Sequence, residues 1–185
     1  MDSRNCLERW EKFQKTKNES INSHKDKILI IVYGAYNPPS NGKHLGEKER
    51  LTKLCDHLKN EGYVNTHIVE NIPCGSESSL SMIEKSFDCL EFADLNIHVF
   101  TCRGKTDSVA RELTYAIEKR LLYKCKVFEE KSNDILAMGT LNREELTQER
   151  YTIVSVEKEN DNDLHEHVSG EVYPFFSKFI RKKVM

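Results

Sequence analysis

Residues 27–33 read KILIIVY, a near-unbroken apolar run containing three isoleucines and a valine. Such runs are the mark of strands buried on both faces, and this one predicts the central strand of a mostly parallel sheet. The stretch after it, GAYNPPSNGKHLG at 34–46, is so rich in glycine, proline and asparagine that regular structure stops there. It reads as a loop at the C-terminal end of that strand. Outward from this point helix and strand patterns alternate. Leu51, Leu54, Cys55 and Leu58 follow helical spacing over 47–61, and Gly62 supplies a stop. VNTHIVEN (64–71) reads as a second strand. SSLSMIEKSFDCLEFA (78–93) reads as a helix with a serine-rich start suited to N-capping. DLNIHVFTCRG (94–104) predicts strand three, 107–123 a third helix, KCKVFEE (124–130) strand four, 133–150 one or two helices, YTIVSVEKE (151–159) strand five and VYPFFSKFIRKKV (172–184) a closing helix.

Strands alternating with helices mean parallel strands joined by right-handed crossovers, hence a sheet covered on both faces. The expected fold is α/β, a flavodoxin-like three-layer sandwich with a five-stranded, mainly parallel sheet in the order 2-1-3-4-5. Residues 27–185 form one Rossmann-like domain in this reading, and 1–26 a helical or loosely ordered arm. At 185 residues and 38% apolar content the chain suffices for a sizeable core.

Charge and cysteine usage narrow the function classes. A net charge of -2 gives no global attraction to nucleic acid or anionic lipid, so nucleic acid is not the expected partner. No apolar run resembles a signal peptide or a membrane span, and the six cysteines include no C-x-x-C pair. These observations lead to the expectation of a cytoplasmic protein with reduced thiols, no structural metal, no cofactor and no membrane partner. HEH at 165–167 falls in EKENDNDLHEH (157–167), which reads as an acidic surface loop rather than a metal site. The cluster Phe175, Phe176, Phe179 and Ile180 is either ordinary helix packing or the contact of a homodimer.

In open parallel sheets ligands bind beyond the C-terminal strand ends, at the switch point, here between strands one and three. That rule brings together YGAYNPPSNG (33–42) and TCRGKTDS (101–108). On the helix that follows, steps of about 100° place Val109, Ala110, Leu113, Ala116 and Ile117 on the buried face. Glu112 falls at the border of that face, with Ser108 and Tyr115 one turn to either side, so a hydroxyl, a carboxylate and a phenol share a flank. Partial desolvation there raises a carboxylate's pKa, and the neighbouring Arg111 opposes the rise.

FADLNIHVFT (92–101) followed by TDSVARELTYAIEKRLLYKCKVF (106–128) resembles the nucleoside 2-deoxyribosyltransferase-type fold and, more distantly, the NAD-cleaving TIR domains. The resemblance implies cleavage or exchange of the N-glycosidic bond of a nucleoside or of NAD, through an oxocarbenium-like state that a carboxylate can stabilise or trap. It implies Glu112 as nucleophile, Asp107 and Ser108 as ribose- or loop-orienting groups, and Tyr33, Gly34 and Asn37 as the opposite wall. Tyr115 joins the substrate-binding set as the end of the polar strip. Thr114 stands where the transferase motif usually carries glycine. Tyr33, Tyr36 and His44 are the candidate proton donors to the leaving base.

Two other readings stand beside this one. A fold of this kind also serves as a non-catalytic nucleotide-sensing or interaction module, with Glu112 as a solvated helix-flank acid. The loop YGAYNPPSNGKHL is also similar to the phosphate-binding motif of nucleotidyltransferases, which implies adenylyl transfer, although Lys43 interrupts the motif and no second phosphate motif follows. Common to all three is a small-molecule nucleoside or nucleotide as partner. His98, on strand three, reads as a satisfied core or edge histidine.

Overall fold

The computed structural model describes residues 3–36, 46–73, 81–131 and 137–184. Asn37, Lys43 and His44, named above, lie outside these residues, as does most of the nucleotidyltransferase-like loop.

Among the described residues there are five strands, β1 (Ile30–Gly34), β2 (Thr66–Ile68), β3 (Leu95–Phe100), β4 (Cys125–Lys131) and β5 (Ile153–Glu157). They form one sheet in the order β2-β1-β3-β4-β5, every neighbouring pair parallel. This is an α/β flavodoxin-like fold. Along β1 every residue is buried, as its apolar run requires. Alternate β1 residues serve opposite layers. Ile30 and Val32 face a core completed by α2 (Gly46–Asn60) and α6 (Asp161–Val184), through Leu51, Leu54, Leu58, Leu164, Val168 and Phe176. Ile31 and Tyr33 face the other core, completed by α3 (Met82–Phe92), α4 (Asp107–Glu118) and α5 (Thr140–Gln148), through Leu90, Val109, Leu113, Ala116 and Leu146. A fully buried leucine such as Leu113 stabilises the fold by roughly 1.5–3 kcal/mol.

α1 (Ser3–Asn22) is a helix whose Leu7, Trp10 and Phe13 are exposed, while Ile21 near its end is buried in the first core. Tyr173 of α6 donates a hydrogen bond to Asn18 Oδ1 at 3.1 Å. The second strand is shorter than its sequence pattern suggests: a 3-10 turn takes over at Val69–Asn71. α3 opens on a capping box, in which Ser81 accepts from the Glu84 amide and Glu84 accepts from the Ser81 amide.

The expected acidic loop at 157–167 is corrected by the structure. From Asp161 onward these residues are the first turns of α6, continuous with the closing helix. Asn160 Oδ1 accepts from the Asp163 amide at 3.1 Å, and Asp161 and Asp163 sit in the positive first turn, so the acids start a helix rather than decorate a loop. His165 consequently stacks on His57 of α2, ring centroids 4.6 Å apart, and no group of three or more metal-ligating side chains forms among the described residues.

Candidate functional site

The loops leaving β1 and β3 meet at the sheet edge predicted by the switch-point rule. Tyr36 and Lys105 form an isolated antiparallel bridge that ties one loop to the other. Gly104 allows this approach, and Gly34 allows α2 to pack closely on the end of β1. A Cβ on Gly104 would stand 2.3 Å from the Ala35 Cβ, and one on Gly34 would stand 2.6 Å from Leu51 Cδ2. Neither position accepts a side chain without displacement.

Beside this junction lies a cavity of about 410 Å³, within the usual range for small-molecule sites. Its floor is Tyr33 and Gly34 from β1. One wall is Asp107, Ser108, Arg111 and Glu112 from the first two turns of α4, and the facing wall is Met82, Ile83 and Ser86 from α3. Tyr36, Val69 and Glu70 close the third side, Val69 and Glu70 coming from the turn that follows β2. Six of the candidate site residues singled out in the sequence (Tyr33, Gly34, Tyr36, Asp107, Ser108 and Glu112) thus come together. Tyr115 is not with them. It stacks on Phe87 of α3 at 4.0 Å, donates to Glu91 Oε1 at 2.6 Å, and lines a separate groove between α3, α4 and α5. One further turn along α4 carries a side chain far enough around and along the helix to miss the cavity.

Glu112 lies deeper than a border position suggests, with 8% of its surface exposed. Burial pushes its carboxyl up to about 8, aided by the nearby Glu70 and opposed by the Ser86 hydroxyl. Ser86 is close enough to favour the charged carboxylate, yet its buried hydroxyl makes no hydrogen bond of regular geometry. At neutral pH the acid form of Glu112 predominates.

The two tyrosines hold their protons tightly. Tyr33 donates to Asn96 Oδ1 at 3.3 Å, and burial together with Cys89, Glu112 and Cys125 raises its pKa well above the ordinary phenol value. Tyr36 donates to Glu70 Oε2 at 2.8 Å, and burial and the Glu70 charge raise it as well. Of these three groups Glu112 is therefore the better proton donor.

Glu70 and Ser86 escaped the sequence reading. Glu70 carried a usable signal, since it stands just past the short strand that neighbours β1 at the switch point. Ser86 carried none, being one serine on an amphipathic helix. His98 also differs from its expected state: it is fully buried, but both ring nitrogens lack a hydrogen-bond partner.

No helix among the described residues is long and apolar enough to cross a membrane. No protein-family model matches the chain, and no curated protein matches it. Among solved structures the chain is similar to the CMP N-glycosidase BcmB of Clostridium botulinum, at 12% sequence identity over 76% of this chain and 98% of that one, with a TM-score of 0.47.

Proposed function

We propose that the protein cleaves the N-glycosidic bond of a nucleoside or nucleotide, with Glu112 as the catalytic carboxylate. The observation that carries this reading is a carboxyl group buried in the wall of an open cavity and still protonated near neutrality. A pKa near the working pH suits a group that must both give and take a proton.

The protonation state favours a role as acid first and base second, instead of the nucleophile that the family resemblance implies. Glu112 donates its proton to the departing base as the C1′–N bond breaks and the bonding pair moves to nitrogen. The sugar becomes oxocarbenium-like. Water then attacks C1′ and returns a proton to the Glu112 carboxylate, so the enzyme group is restored and the products are free base and free sugar. A second base in place of water would make the same step a transfer. In this reading the substrate ring lies against Tyr33 and Gly34, and Asp107 and Ser108, which line the same cavity, meet ribose hydroxyls.

The test is incubation of the pure protein with ribonucleosides, deoxyribonucleosides, their 5′-monophosphates and NAD, followed by chromatography for free base. Base released by the native protein and not by Glu112→Gln of unchanged fold is the expected result. Binding of a nucleoside without release by either protein would select the sensing module instead.

A further inference from the structure

We propose that Glu70 is a second catalytic group of this cavity, the carboxylate that faces the positive charge on the sugar ring as the glycosidic bond breaks. This rests on the glycoside-cleaving reading above and adds to it the group that stabilises the transition state.

Glu70 sits in the turn after β2, lines the cavity, and its side chain is 26% exposed. Three elements hold it. The Tyr36 hydroxyl donates to its Oε2 at 2.8 Å, and Lys48 Nζ of α2 lies 3.9 Å from its Oε1. From α3, Lys85 Nζ donates to the carbonyl of Ile72 at 2.6 Å and reaches that of Glu70 at 3.5 Å, which pins the backbone of the turn. An oriented carboxylate that needs no rearrangement is what stabilisation of a developing charge requires. With Glu112 protonated, the lining still leans acidic: Glu70 and Asp107 against Arg111 among the described residues. That balance favours a positively charged ring over a phosphate.

A ligand is further indicated by Ser86. It is 2% exposed, lines the same cavity, and its hydroxyl has no regular hydrogen-bond partner. A sugar hydroxyl would supply one.

The division of labour follows from the two environments. Glu112, buried and protonated, gives its proton to the leaving base, and the electron pair of the C1′–N bond goes to the base nitrogen. The charge left on C1′ and the ring oxygen faces Glu70, which forms no covalent bond and exchanges no proton. Water adds at C1′ and its proton goes to Glu112. Tyr36 is a positioning residue that acts through Glu70.

The experiment measures calorimetric binding of a cationic sugar mimic, 1,4-dideoxy-1,4-iminoribitol, against its neutral counterpart 1,4-anhydroribitol. It uses the full chain and its Glu70→Gln, Tyr36→Phe and Glu112→Gln variants, with nucleoside turnover measured in parallel. The native protein is expected to prefer the cation by about tenfold or more, as for transition-state mimics generally. Glu70→Gln should erase that preference and lower kcat about 10²-fold with KM little changed. Tyr36→Phe should weaken both effects partially, and it keeps the test alive if Glu70→Gln does not fold. Equal binding of the two mimics by the native protein, or a preference and turnover indifferent to Glu70→Gln and Tyr36→Phe, overturns the proposal. A Glu70-dependent preference for the cation without turnover of any nucleoside refutes the glycosidase reading and leaves Glu70 as a cation-binding carboxylate. Turnover that requires Glu112 but not Glu70 does the reverse.

Discussion

His98 of β3 lies flat against Tyr33 of β1, ring centroids 5.0 Å apart and planes 15° apart, in the register that pairs the two residues across the sheet. The histidine is completely buried, and burial drives its pKa down to about 3. It supports the floor of the cavity as a neutral aromatic ring, with two polar nitrogens that have no partner.

Replacing this ring by a hydrocarbon ring should therefore cost little. His98→Phe keeps the stack and removes two unsatisfied buried groups, so its stability at pH 7 should equal or exceed the native value by about 1 kcal/mol. Acid sharpens the contrast. A histidine held neutral in the fold titrates near 6.5 once unfolded, so its stabilisation is present above 6.5 and is lost as pH falls toward 3. Between pH 6.5 and pH 5 the native protein should lose about 2 kcal/mol relative to His98→Phe. Urea denaturation at the two pH values measures the difference, and parallel curves for the two proteins would contradict it.

Glu112 makes the opposite prediction in the alkaline direction. Its folded pKa, about 8, lies above the 4.5 of the unfolded chain. The protonated group is accommodated fully below pH 4.5, and stability declines as pH rises through 8, because the unfolded chain ionises first. Glu112→Gln mimics the protonated form. Its stability relative to the native protein should grow from pH 4.5 to pH 8 and level off above, by about 3–5 kcal/mol in total. Denaturation midpoints across pH 4.5–9 give the curve directly.

If the glycoside-cleaving reading holds, the same group sets the pH profile of turnover. The acid form is the donor, so kcat/KM should fall above pH 8, about tenfold per pH unit. Glu112→Gln cannot give and retake a proton and should lose about 10²–10⁴-fold of the rate. A profile flat to pH 10 would remove Glu112 from the role of acid.

On the other face of the sheet, Arg50 of α2 meets Glu130 of β4 at 2.7 Å, and its Nε meets Asp161 of α6 at 2.5 Å. Glu130 is fully buried and also accepts from the amides of Cys102 and Glu159, at 2.8 and 2.9 Å. This one carboxylate joins α2 and the loops after β3 and β5. Arg50→Ala would leave it buried without its cation, at a cost of about 3–5 kcal/mol. Arg50→Ala combined with Glu130→Gln should recover part of that loss, as a double-mutant cycle by chemical denaturation would record.

Local patterns in the sequence determined the architecture. KILIIVY could be satisfied only by a strand covered on both faces, and the 3.6- and 2-residue periods on either side of it repeat often enough to order the whole sheet. The same periodicity placed Glu112 beside the loop after β1, because the direction of a side chain on a helix follows from its position in the repeat. Other features depended on contacts between residues remote in sequence. The 8% exposure of Glu112 is set by α3 packing across α4, and that burial raises its pKa, with help from Glu70, 42 positions away, and against the opposing Ser86 hydroxyl, 26 positions away. Tyr115 left the strip to stack on Phe87, a contact between two helices that no pattern within either one specifies. The acids at 161–163 became a helix start because α6 could seat Leu164, Val168 and Val172 against the sheet. Hydrophobic period is written in neighbouring residues. Desolvation, charge pairing and the shape of a cavity arise only where distant segments meet, so tertiary structure alone decided them.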